Sequence, residues 1–196
     1  MITFKTLLAS TAFCALSFVT FHAYAQDKKS NDGFLPEAHK ELRRPNNITT
    51  CLTLNSFVSD AFSFYDKTNA SRTSLQGIFT QLSTPGAAGT QDLLLNFNTC
   101  YQSLLSTLPT LEHMLSTSTD VFSDAKKQLS PLQYIQAAVM LKSALNAVRY
   151  SIADLKFMTT KTVPTLKSMF VSNKVPGADT IKIAQVSASD TLTMNR

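Results

Sequence analysis

Residues 92–129 read DLLLNFNTCYQSLLSTLPTLEHMLSTSTDVFSDAKKQL, and this stretch decides the fold. Its apolar side chains recur in alternating steps of three and four: Leu94, Phe97, Tyr101, Leu104, Leu108, Leu111, Leu115, Phe122, Ala125 and Leu129. That spacing places them on one face of an α-helix. Because so narrow an apolar face must be buried against similar faces, the stretch predicts a helical bundle.

Matching faces lie on both sides of this stretch. In residues 50–83 one helical register is kept by Leu54, Val58, Ala61, Tyr65, Leu75, Phe79 and Leu82. After Ser130-Pro131, which is typical of a serine N-cap followed by proline at the first helical position, a third face extends over 131–162. Pro109 predicts a kink in the central helix, which we expect to continue through it because its apolar face keeps its phase.

The cysteines favour a fourth helix. In an exported chain, Cys51 and Cys100 are expected to form a disulfide. An unbroken helix over 50–83 would place them roughly 33 Å apart along the axis, whereas a disulfide needs Cα atoms within about 7 Å. A chain reversal at 66–71 would bring them level. The sequence therefore predicts an all-α, up-down bundle of four helices at 50–66, 70–83, 90–129 and 131–162, with three long helices as the alternative.

The first 25 residues predict a cleaved signal peptide. They carry Lys5, an apolar core over 7–21 and the ending Ala23-Tyr24-Ala25. The core is too short and too interrupted for a membrane-spanning helix, and no later run could form one. We therefore expect a secreted protein, extracellular or, if bacterial, periplasmic, with no transmembrane anchor after cleavage. In a eukaryotic pathway, Asn47 and Asn69 are glycosylation sequons.

The mature chain divides by composition into three parts. Residues 26–49 are polar, lack an apolar period and predict a flexible arm. Residues 50–172 form the helical bundle domain, which is large enough to bury a core. Residues 173–196 are rich in Ser, Asp and Thr and predict a mostly disordered polar tail.

Catalytic and metal-binding patterns are absent from the sequence. The mature chain has only His39 and His113 as histidines, and no phosphate loop, nucleophile elbow, HExxH motif or carboxylate cluster. Neither cysteine lies in a spacing that suggests zinc. We therefore expect no enzymatic activity, no catalytic or metal-ligating residue and no cofactor.

Charge is distributed unevenly along the chain. Every charged residue between Thr73 and Ala125 is acidic, whereas residues 126–182 hold nine Lys or Arg and only two Asp. Lys142, Arg149 and Lys156 recur every seven residues along one edge of an apolar face. This edge is either an ordinary solvated boundary or a binding surface for an acidic protein, an anionic glycan or a membrane surface.

Two functions from different classes follow from these features. The first is binding of a protein partner, as an effector, inhibitor or signal does. An acidic partner would bind through Lys142, Arg149 and Lys156. The alternative is a carrier or surface binder of lipid or another apolar ligand, since the chain is rich in Phe and Met. Nucleic acid is not expected, because the basic edge lacks interleaved exposed aromatics.

Overall fold

The structure, a computed structural model, describes residues 33–37, 39, 42, 44, 45, 50–84 and 91–183. Within these ranges the fold is all-helical and contains no strand. Its three long helices are α1 (Leu52–Ser83), α2 (Gln91–Gln128) and α3 (Pro131–Phe157), and each contacts the other two. The all-α prediction is confirmed. The described residues form the three-helix alternative, and the four-helix arrangement is not found among them.

α1 continues without interruption through 66–71, where the sequence analysis predicts a reversal. Asp66 and Ala70 are exposed, while Thr68 is buried with its hydroxyl donating to the Phe64 carbonyl at 2.9 Å. This bond satisfies the hydroxyl inside the helix, so the polar stretch has no group that requires a break. The register of the apolar residues then carries the helix on to Ser83.

The continuous α1 also explains why the predicted disulfide is not formed. Cys100 Sγ contacts the Ser71 carbonyl oxygen at 3.7 Å, whereas Cys51 immediately precedes α1. At a rise of roughly 1.5 Å per residue, Ser71 lies about 30 Å from Cys51, far beyond the span of a disulfide. The pairing of Cys51 with Cys100 is therefore wrong for this fold, and with it the reason for breaking the first helix.

α2 forms a single helix through Pro109, as the phase of its apolar face predicts. Its largest fully buried side chains are Phe97, Tyr101, Leu104 and Leu111. They belong to the face identified in the sequence. α2 therefore supplies a continuous side of the core to both neighbouring helices.

The start of α3 is also confirmed. Pro131 occupies the first turn, and the Ser130 backbone N–H donates to Gln133 Oε1 at 3.1 Å. The Ser130 carbonyl accepts the first helical bond, from the Tyr134 N–H at 2.8 Å. Proline loses nothing here because its missing N–H would have no partner in the first turn.

At Val163-Pro164 the chain changes its winding instead of ending the helix. α3 passes into a π-helical turn (Met158–Thr162) and then into α4 (Val163–Ser172). The Val163 N–H donates to the Met158 carbonyl, five residues back. Since proline has no N–H and its ring crowds the carbonyl four residues before it, the wider turn lets the helix continue past Pro164.

The segment predicted as a flexible arm packs against the bundle at its described positions, which we call the arm (33–37, 39, 42, 44 and 45). The ring of Phe34 is buried, with its centroid 4.1 Å from that of Phe79. The Thr162 hydroxyl donates to the Phe34 carbonyl, and Arg72 Nη2 donates to the Pro36 carbonyl. These contacts correct the expectation of a loosely attached arm for these residues.

Residues 173–183, the first part of the predicted tail, are packed as well. Gly177 has a φ of 83°, which permits the turn before a short 3₁₀ helix (Ala178–Thr180). Val175, Ala178 and Ile181 are buried, and Lys167 Nζ donates to the Ile181 carbonyl. The apolar residues of this segment therefore extend the core.

Candidate functional site

Two of the three predicted binding residues border one open groove between α2 and α3. Lys142 and Arg149 are exposed and lie two turns apart on α3, with Asn146 between them. The groove has a volume of about 460 Å³. α2 contributes Ser118, Thr119 and Phe122 to its lining. We call this feature the α2–α3 groove.

The floor of the α2–α3 groove is apolar. It is formed by Ala138, Leu141 and Leu145 of α3 together with Phe122 of α2. The Phe122 ring also packs against Tyr134, with centroids 5.1 Å apart. An apolar floor with two cations at its edge suits a ligand that is apolar on one side and anionic on the other.

Lys156, the third predicted residue, is engaged within the bundle. Its Nζ lies 3.0 Å from Glu112 Oε1, so the pair bridges α3 to α2. Among the described residues, neither Lys142 nor Arg149 makes an ion pair. Of the three residues, Lys156 is therefore paired within the bundle, whereas Lys142 and Arg149 remain available at the groove.

A second polar cluster, which was not predicted from the sequence, joins the arm to α3. His39 Nε2 and Asp154 Oδ1 share a hydrogen bond of 2.7 Å, and the imidazole stacks on Tyr150 with ring centroids 4.2 Å apart. Asp154 is 2% exposed and His39 is 23% exposed. Ser151 and Asp154 continue the spacing of buried residues on α3, a pattern that could have marked Asp154 as buried.

The electrostatics of this cluster follow from burial. Desolvation raises the pKa of Asp154, and the hydrogen bond and charge of His39 and the charge of Arg72 act in the opposite direction. Asp154 Oδ2 has no hydrogen-bond partner in the described part of the protein. A buried carboxyl with one unbonded oxygen is costly, so its single bond to His39 matters for holding the arm in place.

This acid–imidazole pair fastens the arm, and among the described residues no nucleophile joins it as the third member of a triad. Among the described hydrogen bonds, His39 receives none from a hydroxyl or thiol. The Ser151 hydroxyl, one turn before Asp154, donates to the Ala147 carbonyl at 2.8 Å. No group of His, Cys, Asp and Glu suited to a metal ion occurs within the described ranges.

The other predicted sites differ in how far the structure describes them. Asn69 is half-buried in the middle of α1, where its backbone carbonyl accepts the Thr73 hydroxyl hydrogen at 3.1 Å. Asn47 and the signal peptide lie outside the described residues.

Burial raises the pKa of the Cys100 thiol, while its hydrogen bond to Ser71 lowers it.

Comparison with family models, curated proteins and solved structures gives no significant match. A search of the described helices finds none with the length and apolar character needed to span a bilayer.

Proposed function

We propose that this chain is a secreted, non-enzymatic helical protein whose α2–α3 groove binds a protein partner, as an effector, inhibitor or signal does. The observation that carries the proposal is the pair of exposed cations, Lys142 and Arg149, at the edge of an apolar groove. Neither has an ion-pair partner among the described residues. Side chains that are not engaged internally can neutralise acidic groups of a partner.

The test is an affinity pull-down with the mature chain from the tissue or host that the secreted protein meets. The test variant carries Lys142→Glu and Arg149→Glu. The matched control carries Lys161→Glu and Lys182→Glu, which change the net charge equally at exposed positions outside the groove. We expect a protein that wild type and control retain and the groove variant loses. Equal retention by all three would contradict the proposal.

Export is tested separately by N-terminal sequencing of protein recovered from its native compartment. Cleavage of the signal peptide predicts a chain that begins at Gln26. Recovery of a chain that retains residues 1–25 would contradict this part of the proposal. The glycosylation of Asn47 and Asn69 is read from the same sample by its mass before and after deglycosylation.

The alternative, a carrier of lipid or another apolar ligand, rests on the apolar floor of the same groove. Phe122, Leu141 and Leu145 could contact an acyl chain or a similar group. Extraction of the purified protein with organic solvent, followed by mass spectrometry, distinguishes the two. A stoichiometric lipid supports the carrier, whereas its absence favours the protein-binding function.

A further inference from the structure

The outer surface of α3 carries an apolar stripe in line with the two groove cations. Leu132, Ile135 and Val139 are 70%, 63% and 67% exposed. Their spacing of three and four continues through Lys142, and then through Asn146 and Arg149. Residues spaced in this way form one track along a helix. The track therefore has an apolar half near the start of α3 and a basic half beyond it.

The length of this track fits a helical partner. From Leu132 to Arg149 it covers about 25 Å at a rise of roughly 1.5 Å per residue. Alternating steps of three and four are also the spacing with which one helix packs its side chains between those of another. Because α1 covers the other side of the α2–α3 pair, the groove is where a further helix would complete a four-helix bundle.

We propose that the occupant of this surface is an amphipathic helix of a partner protein, apolar at one end of its contact face and acidic at the other. The apolar end packs on Leu132, Ile135 and Val139, and the acidic end pairs with Lys142 and Arg149. This inference rests on the proposed function and specifies the chemistry of the partner.

A membrane surface fits the same residues less well. The floor residues Phe122, Leu141 and Leu145 line a concavity between two helices, which a flat bilayer surface does not fill. Typical membrane-surface helices carry their cations on the polar face that flanks their apolar residues. Here the cations border the concave groove itself, an arrangement complementary to a rod with acidic side chains.

The test uses three fluorescein-labelled peptides of about 21 residues, which is three heptads. One has leucines and then glutamates along a single helical face. The second replaces the glutamates with lysines, and the third has the composition of the first with its face scrambled. Fluorescence anisotropy measures binding to the mature chain at about 50 and 500 mM salt. We expect the acidic amphipathic peptide to bind best, and more weakly at high salt.

Variants of the protein test each half of the track. Lys142→Glu with Arg149→Glu should weaken binding of the acidic peptide about tenfold or more, and Ile135→Ser with Val139→Ser about tenfold. Leu95→Ser is the control for the apolar half, because Leu95 is a similarly exposed residue of α2 outside the groove. It should leave the affinity unchanged.

Three results would overturn the inference. They are equal binding of the acidic and scrambled peptides, unchanged affinity in either of the two double variants of the track, and binding of phosphatidylserine-containing vesicles in place of the peptide. If the peptide fails while the pull-down protein is still lost on reversal of Lys142 and Arg149, the inference fails and the proposed function stands. If the reversal retains every captured protein, the proposed function itself fails.

Discussion

The two sides of α3 differ in how far their ionisable side chains are exposed to solvent. On one side the Asp154 carboxyl is buried, hydrogen-bonded to His39 of the arm and placed in the field of Arg72. On the other side the cations Lys142 and Arg149 stand at the rim of the α2–α3 groove without an ion-pair partner among the described residues. The buried carboxyl is bonded within the chain and serves the fold, whereas the exposed cations are the groups to which the proposed function assigns a partner.

The largest effect is expected where the buried charge loses its partner. His39→Phe keeps a planar ring for Tyr150 but removes Nε2, so the Asp154 carboxyl has no bond to the arm. We expect the free energy of unfolding to fall by about 2 to 3 kcal/mol, measured by urea denaturation at neutral pH. Adding Asp154→Leu should recover most of the loss, since the stranded carboxyl is then absent.

Arg44→Ala is the matched control for that experiment. Arg44 is also an arm residue in an ion pair, with Asp66, but both partners are more than half exposed. Its removal should cost less than about 1 kcal/mol. Equal losses for His39→Phe and Arg44→Ala would remove the distinction between the buried and the exposed charges.

A second, smaller effect is a change of stability with pH. Burial raises the pKa of Asp154 in the folded chain, so between its ordinary pKa and the raised value the folded state binds more protons than the unfolded state. The contribution of Asp154 to stability is therefore complete below the ordinary pKa of an aspartate and is lost as the pH rises through the folded pKa.

The measurement compares His39→Phe with His39→Phe combined with Asp154→Asn, by urea denaturation from about pH 4 to 8. Both variants lack the His39 imidazole and retain Arg72, so they differ only at residue 154. We expect the variant that keeps Asp154 to lose stability relative to the Asn variant as the pH rises. A difference that is constant or grows with pH would show that burial does not control this carboxyl.

The third effect concerns an ion pair that joins two helices. Lys156 and Glu112 form a partly exposed bridge between α3 and α2. A double-mutant cycle with Lys156→Ala and Glu112→Ala should give a coupling energy below about 1 kcal/mol, because solvent screens the pair. A coupling energy as large as the stabilisation by the His39–Asp154 bond would show that Lys156 contributes to the stability of the fold as much as Asp154 does.

The elements that can be predicted from the sequence are those marked by a local, periodic pattern. The apolar face of α2 places that helix within one residue of its observed bounds, and Ser130-Pro131 places the start of α3. The first helix is misjudged because an assumed bond between Cys51 and Cys100 overrides a register that runs unbroken across 66–71. The local pattern is the better guide there.

The candidate site is only partly accessible from sequence. The seven-residue spacing predicts that Lys142, Arg149 and Lys156 share one edge of α3, but the ion pair of Lys156 depends on Glu112 of another helix. His39 and Asp154 are 115 residues apart, and an extended arm carries no period that predicts where it packs. Contacts of this kind are set by tertiary packing, to which local propensity is a weak guide.

The smallest effect on stability is expected at the groove. Lys142→Glu with Arg149→Glu should change the free energy of unfolding by no more than about 0.5 kcal/mol, because both side chains are exposed and no ion pair with a described residue is lost. Lys161→Glu with Lys182→Glu should behave alike in urea denaturation. A loss above about 1.5 kcal/mol confined to the groove variant would mean that these cations also serve the fold, since ordinary surface changes do not cost that much. The contrast between the two sides of α3 would then disappear, and any loss of partner binding in that variant would have to be separated from unfolding.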